Sequence, residues 1–245
     1  TVGKTTCDFL PLGIPVAVAI GDNQASFLGS VDNLKHSALA NVGTGSQISF
    51  VTDKVFETNS GEIRPLIDNQ YIYVGASLCG GRAYAILKNF FSMCADMLNG
   101  TDEDLYKKMD ALAKDAKHAD NKLIVDCSFC GTRKNPFIRG SVTEISDTNF
   151  TPQNLIYGVL DGVAKELYAM YTEGKSFSTE HTKLICSGNG LRKSELWRNI
   201  FQDYFGMHTV LPKHSEEAAI GACVFSSVAS DIYANIEEAQ NTLLR

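Results

Sequence analysis

The sequence predicts an α/β fold, in which helices cover a β-sheet. Strand-like and helix-like patterns alternate along the 245 residues, and near the C-terminus they follow the order strand, helix, strand, helix. That order is typical of parallel strands joined by right-handed crossovers. A content of 44% hydrophobic and 20% charged residues supplies one large core or two small ones, and it excludes disordered, collagen-like and coiled-coil chains.

The first elements follow from runs of apolar residues. A continuous apolar run over residues 14–20 predicts a strand covered on both faces, and a helix follows over residues 23–30. Two further runs, at residues 37–42 and 47–51, flank a glycine turn. We expect these two runs to form the strands of a β-hairpin.

The middle of the chain contains longer helical patterns. Residues 71–75 predict a short strand, and apolar side chains at helical spacing predict a helix over residues 81–97. A more polar helix is expected over residues 102–116, and a buried strand over residues 123–125. The stretch from there to residue 150 contains glycines and a proline, and we expect it to be irregular.

A long helix is predicted to open the last part of the chain. Thr151 suits the N-cap and Pro152 the first helical position, and apolar residues recur at helical spacing behind them. These apolar residues are Leu155, Val159, Val163, Leu167 and Met170. The remaining predicted elements are a strand at 183–186, a helix at 191–205, a strand at 208–211 and helices at 216–229 and 232–244.

Charge and hydropathy exclude several classes of partner. The 22 basic and 28 acidic residues give a net charge of −6, so we expect neither nucleic acid nor a membrane surface as a partner. The longest apolar stretches, such as residues 10–20, are shorter than the roughly 20 residues of a membrane span. The chain starts with Thr1 and shows no signal-peptide pattern, so we expect it to begin inside a longer protein.

The cysteines favour a reducing compartment, and we therefore expect a cytoplasmic protein. There are seven of them, scattered and mostly within apolar segments. Cys127 and Cys130 have the CxxC spacing of a metal or redox pair, but no second ligand pair for zinc follows them. Gly131 and Pro136 also break the helix that a redox pair would need. The favoured interpretation is that both are core or loop cysteines. A CxxC redox or zinc protein is kept as a further hypothesis for the function.

Asp22 is the first candidate for chemistry. It lies in the segment 21–26, where the predicted strand ends and the first helix begins. The free amides and the dipole of a helix N-terminus favour a carboxylate, which could accept a proton from a substrate hydroxyl. The alternative is a plain N-cap aspartate, since Asp is among the commonest capping residues.

Two further turns carry glycines at positions where phosphates bind in other proteins. The segment 41–46 places two glycines and two hydroxyl side chains between apolar runs, and such a turn can aim several backbone N–H groups at a phosphate. An ordinary glycine hairpin explains this segment equally well. The segment 187–190 lies between a strand and a helix, at the sheet edge where ligands bind, although loop geometry explains it nearly as well.

Taken together and in this order, the segments resemble the C-terminal half of the FGGY family of carbohydrate kinases. The matching stretches are Leu12-Gly13-Ile14-Pro15-Val16, Gly21-Asp22-Asn23-Gln24-Ala25, Gly43-Thr44-Gly45, Ser187-Gly188-Asn189-Gly190, Glu195-Leu196-Trp197-Arg198 and Glu217-Ala218-Ala219-Ile220-Gly221-Ala222. Residues 76–81 are similar to the sedoheptulokinase branch rather than to the xylulokinase branch.

The resemblance implies an actin-like, ribonuclease-H-like ATPase domain with a mixed sheet flanked by helices. Residues 1–245 would be the C-terminal ATP-binding domain of a two-domain sugar kinase that uses ATP and Mg²⁺. The substrate would be a ketose or polyol, with sedoheptulose as one candidate. Asp22 matches the family's catalytic base, and no metal ligand is implied. The ATP-binding positions implied are Gly43, Thr44, Gly45, Gly81, Gly188, Asn189 and Gly190.

The resemblance is incomplete in two respects. Gly45-Ser46 stands where many members have Ser-Gly, Asn189 interrupts a glycine triplet, and in the loop after Cys127 only Gly131, Arg133 and Pro136 align. The family's N-terminal sugar-binding domain has no counterpart here, so it would be a partner of this chain, which we expect to be inactive alone. A homo-oligomer is left open. The competing hypothesis is an actin-like module that binds nucleotide or a partner without catalysis.

Overall fold

A six-stranded mixed sheet forms the centre of the chain. The computed structural model describes residues 3–6, 11–67, 69–100, 103–114, 116 and 121–244. Its strands are β1 (Gly3–Lys4), β2 (Pro15–Val16), β3 (Ser37–Val42), β4 (Ser46–Thr52), β5 (Gly61–Pro65), β6 (Tyr71–Ser77), β7 (Ile124–Asp126), β8 (Ser141–Thr143), β9 (Lys183–Ser187) and β10 (His208–Val210). The central sheet has the order β10-β9-β3-β4-β6-β5, while β1-β2 and β7-β8 form separate two-stranded sheets.

Helices cover both faces of this sheet. They are α1 (Asp22–Ser30), α2 (Gly81–Met97), α3 (Leu105–Ala113), α4 (Pro152–Gly174), α5 (Gly188–Lys193), α6 (Glu195–Phe205), α7 (Glu217–Ala229) and α8 (Ile236–Leu243), and a 3₁₀ turn at Lys175–Phe177 follows α4. Within the described ranges, no helix is long and apolar enough to cross a membrane.

Strand direction divides the sheet into two parts. Neighbouring strands within the set β3, β4, β6 and β5 are antiparallel, whereas β3, β9 and β10 are parallel. The predicted hairpin and the predicted parallel pairing near the C-terminus are both confirmed. The carboxyl ends of β3 and β9 therefore lie side by side, which brings the turn after β3 next to the turn after β9.

The alternation of side chains along each strand builds two apolar layers. On one face, residues such as Ala40, Ile48 and Tyr73 pack against α4, α2 and α6 in the main core. On the other face, Leu39 and Val51 pack against α1 in a smaller core. The sheet thus separates α1 from α2 and α6, and a site at its edge has two sides.

Capping residues set several helix ends. Thr151 accepts a 3.4 Å hydrogen bond from the N–H of Asn154, with Pro152 at the start of α4 as predicted. The single helix predicted over 191–205 is divided in two, because Ser194 has an extended backbone and caps α6 by accepting the N–H of Trp197 at 3.1 Å. The predicted turn at 187–190 is shorter than expected, because α5 already begins at Gly188.

The strand predicted over residues 14–20 is wrong. Only Pro15–Val16 is a strand, its described partner is the two-residue β1, and Ile14 and Val18 are 43% and 57% exposed. A strand buried on both faces needs neighbours above and below, and the central sheet gives this segment neither.

Other boundaries also differ from the predictions. β5 and β8 were not predicted, because β5 is a half-buried edge strand and β8 has three residues within a polar stretch. The predicted helix over 232–244 begins only at Ile236, where Asn235 caps it. The helix expected over 102–116 is Leu105–Ala113, and residues 102 and 115 lie outside the described ranges.

Candidate functional site at the carboxyl edge of the sheet

Asp22 is the first residue of α1, and it is exposed. The N-cap position belongs to Gly21, which has no side chain for capping. Asp22 Oδ1 accepts a 2.7 Å hydrogen bond from the N–H of Asn23. Asp22 is therefore not the N-cap residue itself, although its side chain satisfies one of the amides that a cap would bind.

A polar cavity of about 360 Å³ opens beside Asp22. Asn41 and Gln47 line it from directly opposite positions on β3 and β4, and Ser49 follows on the same face. Asn23 Nδ2 donates a 3.0 Å hydrogen bond to Gln47 Oε1, which fixes the start of α1 over this part of the sheet. The face of the sheet that α1 covers is thus apolar beneath the helix and polar next to Asp22.

The turn between β3 and β4 is held by the N-terminus of α2. The Gly43 carbonyl accepts the N–H of Gly81 at 2.8 Å, and the Thr44 carbonyl accepts the N–H groups of Gly80 and Arg82, each at 3.1 Å. In a trans peptide the N–H points opposite to the C=O. The N–H groups of Thr44 and Gly45 therefore point away from α2, as in an anion-binding nest.

A larger cavity of about 890 Å³ lies on the other face of the sheet. Five of the predicted ATP-binding residues line it, namely Gly43, Thr44, Gly81, Asn189 and Gly190. Its other lining residues include the cations Arg82, Lys88 and Lys193 and the aromatic side chain Tyr84, which sequence reasoning missed, and Trp197, which lies in one of the matching stretches. Tyr84 Oη donates a 2.5 Å hydrogen bond to Asp110 Oδ1, and burial raises the pKa of Tyr84. This side of the turn combines a cationic rim with an aromatic wall.

Gly45 and Gly188 do not line that cavity. A Cβ on Gly188 would lie 2.5 Å from the carbonyl oxygen of Val42, and its φ of +79° favours glycine. A Cβ on Gly45 would lie 2.7 Å from the carbonyl oxygen of Ser77. Gly188 lets the backbone approach Val42 closely, and Gly45 lets it approach Ser77 closely. Both glycines therefore support the shape of the two turns without lining the cavity.

Glu217 connects the turn after β9 to α7. Its Oε1 accepts hydrogen bonds from Ser187 Oγ at 2.6 Å and from Arg192 Nη2 at 2.7 Å. Arg192 also donates to the carbonyl oxygens of Pro212 and His214. Glu217, at the acidic start of α7, belongs to one of the matching stretches in the sequence. Its hydrogen bonds hold the end of β9 and the start of α5 in place.

The loop after β7 contributes Arg133 to the cavity beside Asp22. Cys127 and Cys130 do not pair with each other in this loop. The Cys130 thiol contacts Cys79 Sγ at 3.8 Å, and the buried Cys127 thiol donates to the carbonyl oxygen of Val159. Over the described part of the chain, no group of three or more His, Cys, Asp or Glu side chains could hold a metal ion.

Arg64 is a residue of the cavity beside Asp22 that sequence reasoning missed. It lies on β5, in register with Ile72 of β6 and on the face that carries Asn41 and Ser49. The alternation of polar and apolar residues over 61–65 was the available signal, but it is too short to distinguish an edge strand from a loop.

Comparisons with known proteins agree with this architecture. The family model described as "FGGY family of carbohydrate kinases, C-terminal domain" matches residues 38–230. The gluconokinase of Bacillus subtilis (strain 168) is 24% identical over 223 residues, covering 88% of this chain and 43% of that protein. The sedoheptulokinase of Mus musculus is 24% identical over 224 residues, covering 88% and 46%. This chain therefore spans less than half the length of these relatives.

Solved structures show the same fold. The xylulose kinase from Rhodospirillum rubrum superposes with a TM-score of 0.80 at 21% identity, over 95% of this chain and 46% of that one. The gluconate kinase from Lactobacillus acidophilus gives a TM-score of 0.74 at 20% identity, over 89% and 43%. The predicted mixed sheet flanked by helices is confirmed. With most of its length matched by the family model, the chain belongs to the FGGY family of carbohydrate kinases as a C-terminal domain of that family.

Proposed function

We propose that the protein containing this chain is an ATP-dependent carbohydrate kinase, in which residues 1–245 supply the nucleotide-binding half and the catalytic base. The observation that carries the proposal is the position of one turn between two cavities. Gly43 and Thr44 line the large cavity, while Asn41 and Gln47, which flank the same turn, line the cavity of Asp22. A phosphate chain that passed over this turn would reach from one cavity to the other.

The large cavity is the place for the nucleotide. Asn189 and Gly190 would contact the nucleoside, and the cationic rim would hold the phosphates. The N–H groups of Thr44 and Gly45, which point away from α2, would bind the part of the phosphate chain that passes over the turn. A Cβ on Gly81 would lie 2.5 Å from the Gly43 carbonyl oxygen, so the absence of side chains there keeps α2 close to the turn. When bound, ATP supplies the phosphoryl group for transfer.

Asp22 has the geometry of a general base. Its carboxylate is exposed at the mouth of the polar cavity, and Asn23 holds one of its oxygens through the backbone N–H. A sugar hydroxyl placed there would give its proton to Asp22 as the oxygen attacks the phosphoryl group in line. Phosphoryl transfer depends mainly on position and charge, which a fixed helix N-terminus provides.

Mg²⁺ has no side-chain cluster of its own among the described residues. The described residues therefore do not form a complete magnesium site by themselves. Magnesium commonly enters such sites with the phosphates and one or two carboxylates.

The acceptor class is a sugar, polyol or sugar acid. Relatives include a gluconokinase, a sedoheptulokinase and a glycerol kinase, and sedoheptulose is retained as one candidate. Since this chain spans less than half of those proteins, the rest of the protein would supply most sugar contacts.

The test is acceptor-dependent ADP release by the complete protein. MgATP would be mixed with a panel of ketoses, polyols and aldonates, and we expect turnover on the order of 10 per second with at least one of them. ATP binding without any acceptor-dependent ADP release would instead support the binding-module hypothesis.

A further inference from the structure

We infer that Arg64 and Arg133 form an anion-binding subsite beside Asp22, which selects an acceptor carrying a negatively charged group such as the carboxylate of a sugar acid. The inference rests on the proposed function and specifies its substrate class. Both guanidinium groups line the 360 Å³ cavity that contains Asp22. Arg64 lies on β5 and Arg133 lies in the loop after β7. Two separate elements thus bring the two arginines to the same cavity.

The position of Arg64 follows from the register of the sheet. Glu62 pairs with Val74 and Arg64 with Ile72, which places both on the face covered by α1. Gln24 Nε2 donates a 3.4 Å hydrogen bond to the carbonyl oxygen of Pro65, so the start of α1 lies over the end of β5. The long side chain of Arg64 thus reaches into the space below Asp22.

Glu62 balances one of the two positive charges of this pair, and Asp22 on α1 is a further carboxylate in the same cavity. Glu62 Oε2 accepts two hydrogen bonds from Arg64, from Nη2 at 2.8 Å and from Nε at 3.1 Å, and Arg133 Nη1 lies 3.7 Å from Glu62 Oε1. The pKa of Glu62 is lowered by Arg64 and, to a smaller extent, by Arg133, so Glu62 is an ionised partner. One carboxylate therefore serves two guanidinium groups, each with five N–H donors.

Glu62 engages only part of each guanidinium group. It lines a second cavity of about 440 Å³, which Arg64 and Arg133 line as well, and it does not line the cavity of Asp22. Its carboxylate accepts hydrogen bonds from Nε and Nη2 of Arg64. The remaining N–H groups of the two arginines would bind an anion in the cavity of Asp22.

The anion is expected on the acceptor rather than on the nucleotide. Neither arginine lines the 890 Å³ cavity, and β5 is the edge strand at the opposite end of the sheet from β9 and β10. A fixed guanidinium fork binds a carboxylate or a phosphate ester with two parallel hydrogen bonds, whereas a neutral hydroxyl leaves most of its donors unpaired.

The experiment compares acceptors that differ in charge, using the complete protein. Calorimetry without ATP would measure binding of D-gluconate, D-glucitol and D-glucitol 6-phosphate, and ADP release would measure their KM and kcat. We expect an anionic acceptor to bind at least about tenfold more tightly than D-glucitol, and Arg64→Gln and Arg133→Gln to remove that preference. The two anions identify whether the charge is a carboxylate or a phosphate ester.

Lys134→Gln is the matched control, because Lys134 neighbours Arg133 and lines the cavity of about 440 Å³ but not the cavity of Asp22. Equal binding of neutral and anionic acceptors by the unmodified protein would overturn the inference, as would an equal loss of kcat with all acceptors in Arg64→Gln. Anion binding that depends on Arg64 without any ADP release would keep the subsite and overturn the kinase proposal instead.

Discussion

The N–H of Gly81 donates a 2.8 Å hydrogen bond to the carbonyl oxygen of Gly43, and this contact fixes the turn between β3 and β4 against the start of α2. The turn is thus a rigid part of the sheet edge, with one cavity on each side. Changes to the turn that leave this contact intact should alter ligand binding without altering the fold.

Gly43→Val should weaken ATP binding without destabilising the protein. A Cβ at this position would meet nothing closer than Asn41 Oδ1 at 3.8 Å, so the added side chain would occupy cavity space instead of overlapping the fold. We expect the ATP Kd, measured by calorimetry, to rise about tenfold or more while Tm stays within about 2 °C.

Gly188→Val is the contrasting variant for that measurement. Its backbone has a φ of +79° and its Cβ would crowd Val42, so both Tm and ATP affinity should fall. Unchanged ATP affinity in a folded Gly43→Val protein would show that the phosphates do not cross this turn.

Gly221→Ala should destabilise the contact between α1 and α7. A Cβ on Gly221 would overlap the carbonyl oxygen of Ala25, and one on Gly29 would overlap the carbonyl oxygen of Glu217. We expect a loss of roughly 1–3 kcal/mol or more in the free energy of unfolding, measured by urea titration. We also expect lower kcat, because α1 carries Asp22.

Gly100→Ala provides the control for helix packing, since its nearest contact would be Ala95 O at an ordinary 3.4 Å. If Gly221→Ala is as stable as Gly100→Ala, the close contact between α1 and α7 is not needed for the fold.

His181 should make stability depend on pH in the acidic range. It is 6% exposed, its ring nitrogens lie 3.0 Å from Tyr171 Oη and Ser178 Oγ, and burial, with a smaller effect of His36, lowers its pKa from 6.5 to about 4. Between these values the unfolded chain binds more protons than the folded one. Stability contributed by neutral His181 is therefore complete above pH 6.5 and is lost as the pH falls toward 4.

The measurement is the free energy of unfolding from pH 7 to pH 4. His181→Gln should flatten the profile by roughly 3 kcal/mol over this window. Parallel profiles for the unmodified protein and His181→Gln would contradict this account.

Mild oxidation should join Cys79 to Cys130 and not Cys127 to Cys130. The first two sulfur atoms lie 3.8 Å apart, and Cys130 is the more exposed thiol. Hydrogen peroxide would take the two thiol hydrogens and form two water molecules as the S–S bond closes to about 2.05 Å. Peptide mapping by mass spectrometry under non-reducing conditions identifies the pair.

Cys130→Ser should abolish this cross-link, and Cys127→Ser should preserve it. A cross-linked Cys127–Cys130 peptide would show that the loop after β7 adopts another arrangement in solution. Burial, which raises the pKa of Cys79 to about 12, is expected to make the reaction slow.

Sequence reasoning predicted the fold best where local signals agree with packing. The hairpin of β3 and β4 has apolar runs on both sides of a glycine turn, and α4 has a cap, a proline and an apolar stripe. The run over 14–20 has the composition of a buried strand but lacks neighbours, which composition alone does not reveal.

The site was predictable only in part. Gly43 and Thr44 lie in a turn that glycine marks in the sequence, and Asn189 lies between two glycines at the start of α5, whereas Arg64 and Lys193 line the cavities because of strand register and helix packing. Gly188 was predicted as a ligand contact, but its backbone angle and its contact with Val42 give it a structural reason to be glycine. Glycine can mark close backbone packing as readily as phosphate binding.

The most direct test of the central claim is kcat of Asp22→Asn in the complete protein, with Tm measured on the same samples. Asparagine keeps the side-chain oxygen that binds the N–H of Asn23, but it is not a base. We expect kcat to fall ~10²–10⁴-fold with KM and Tm nearly unchanged, while Asp22→Ala loses activity and up to about 2 kcal/mol of stability as well. An Asp22→Asn protein with full kcat would contradict the assignment of Asp22 as the base.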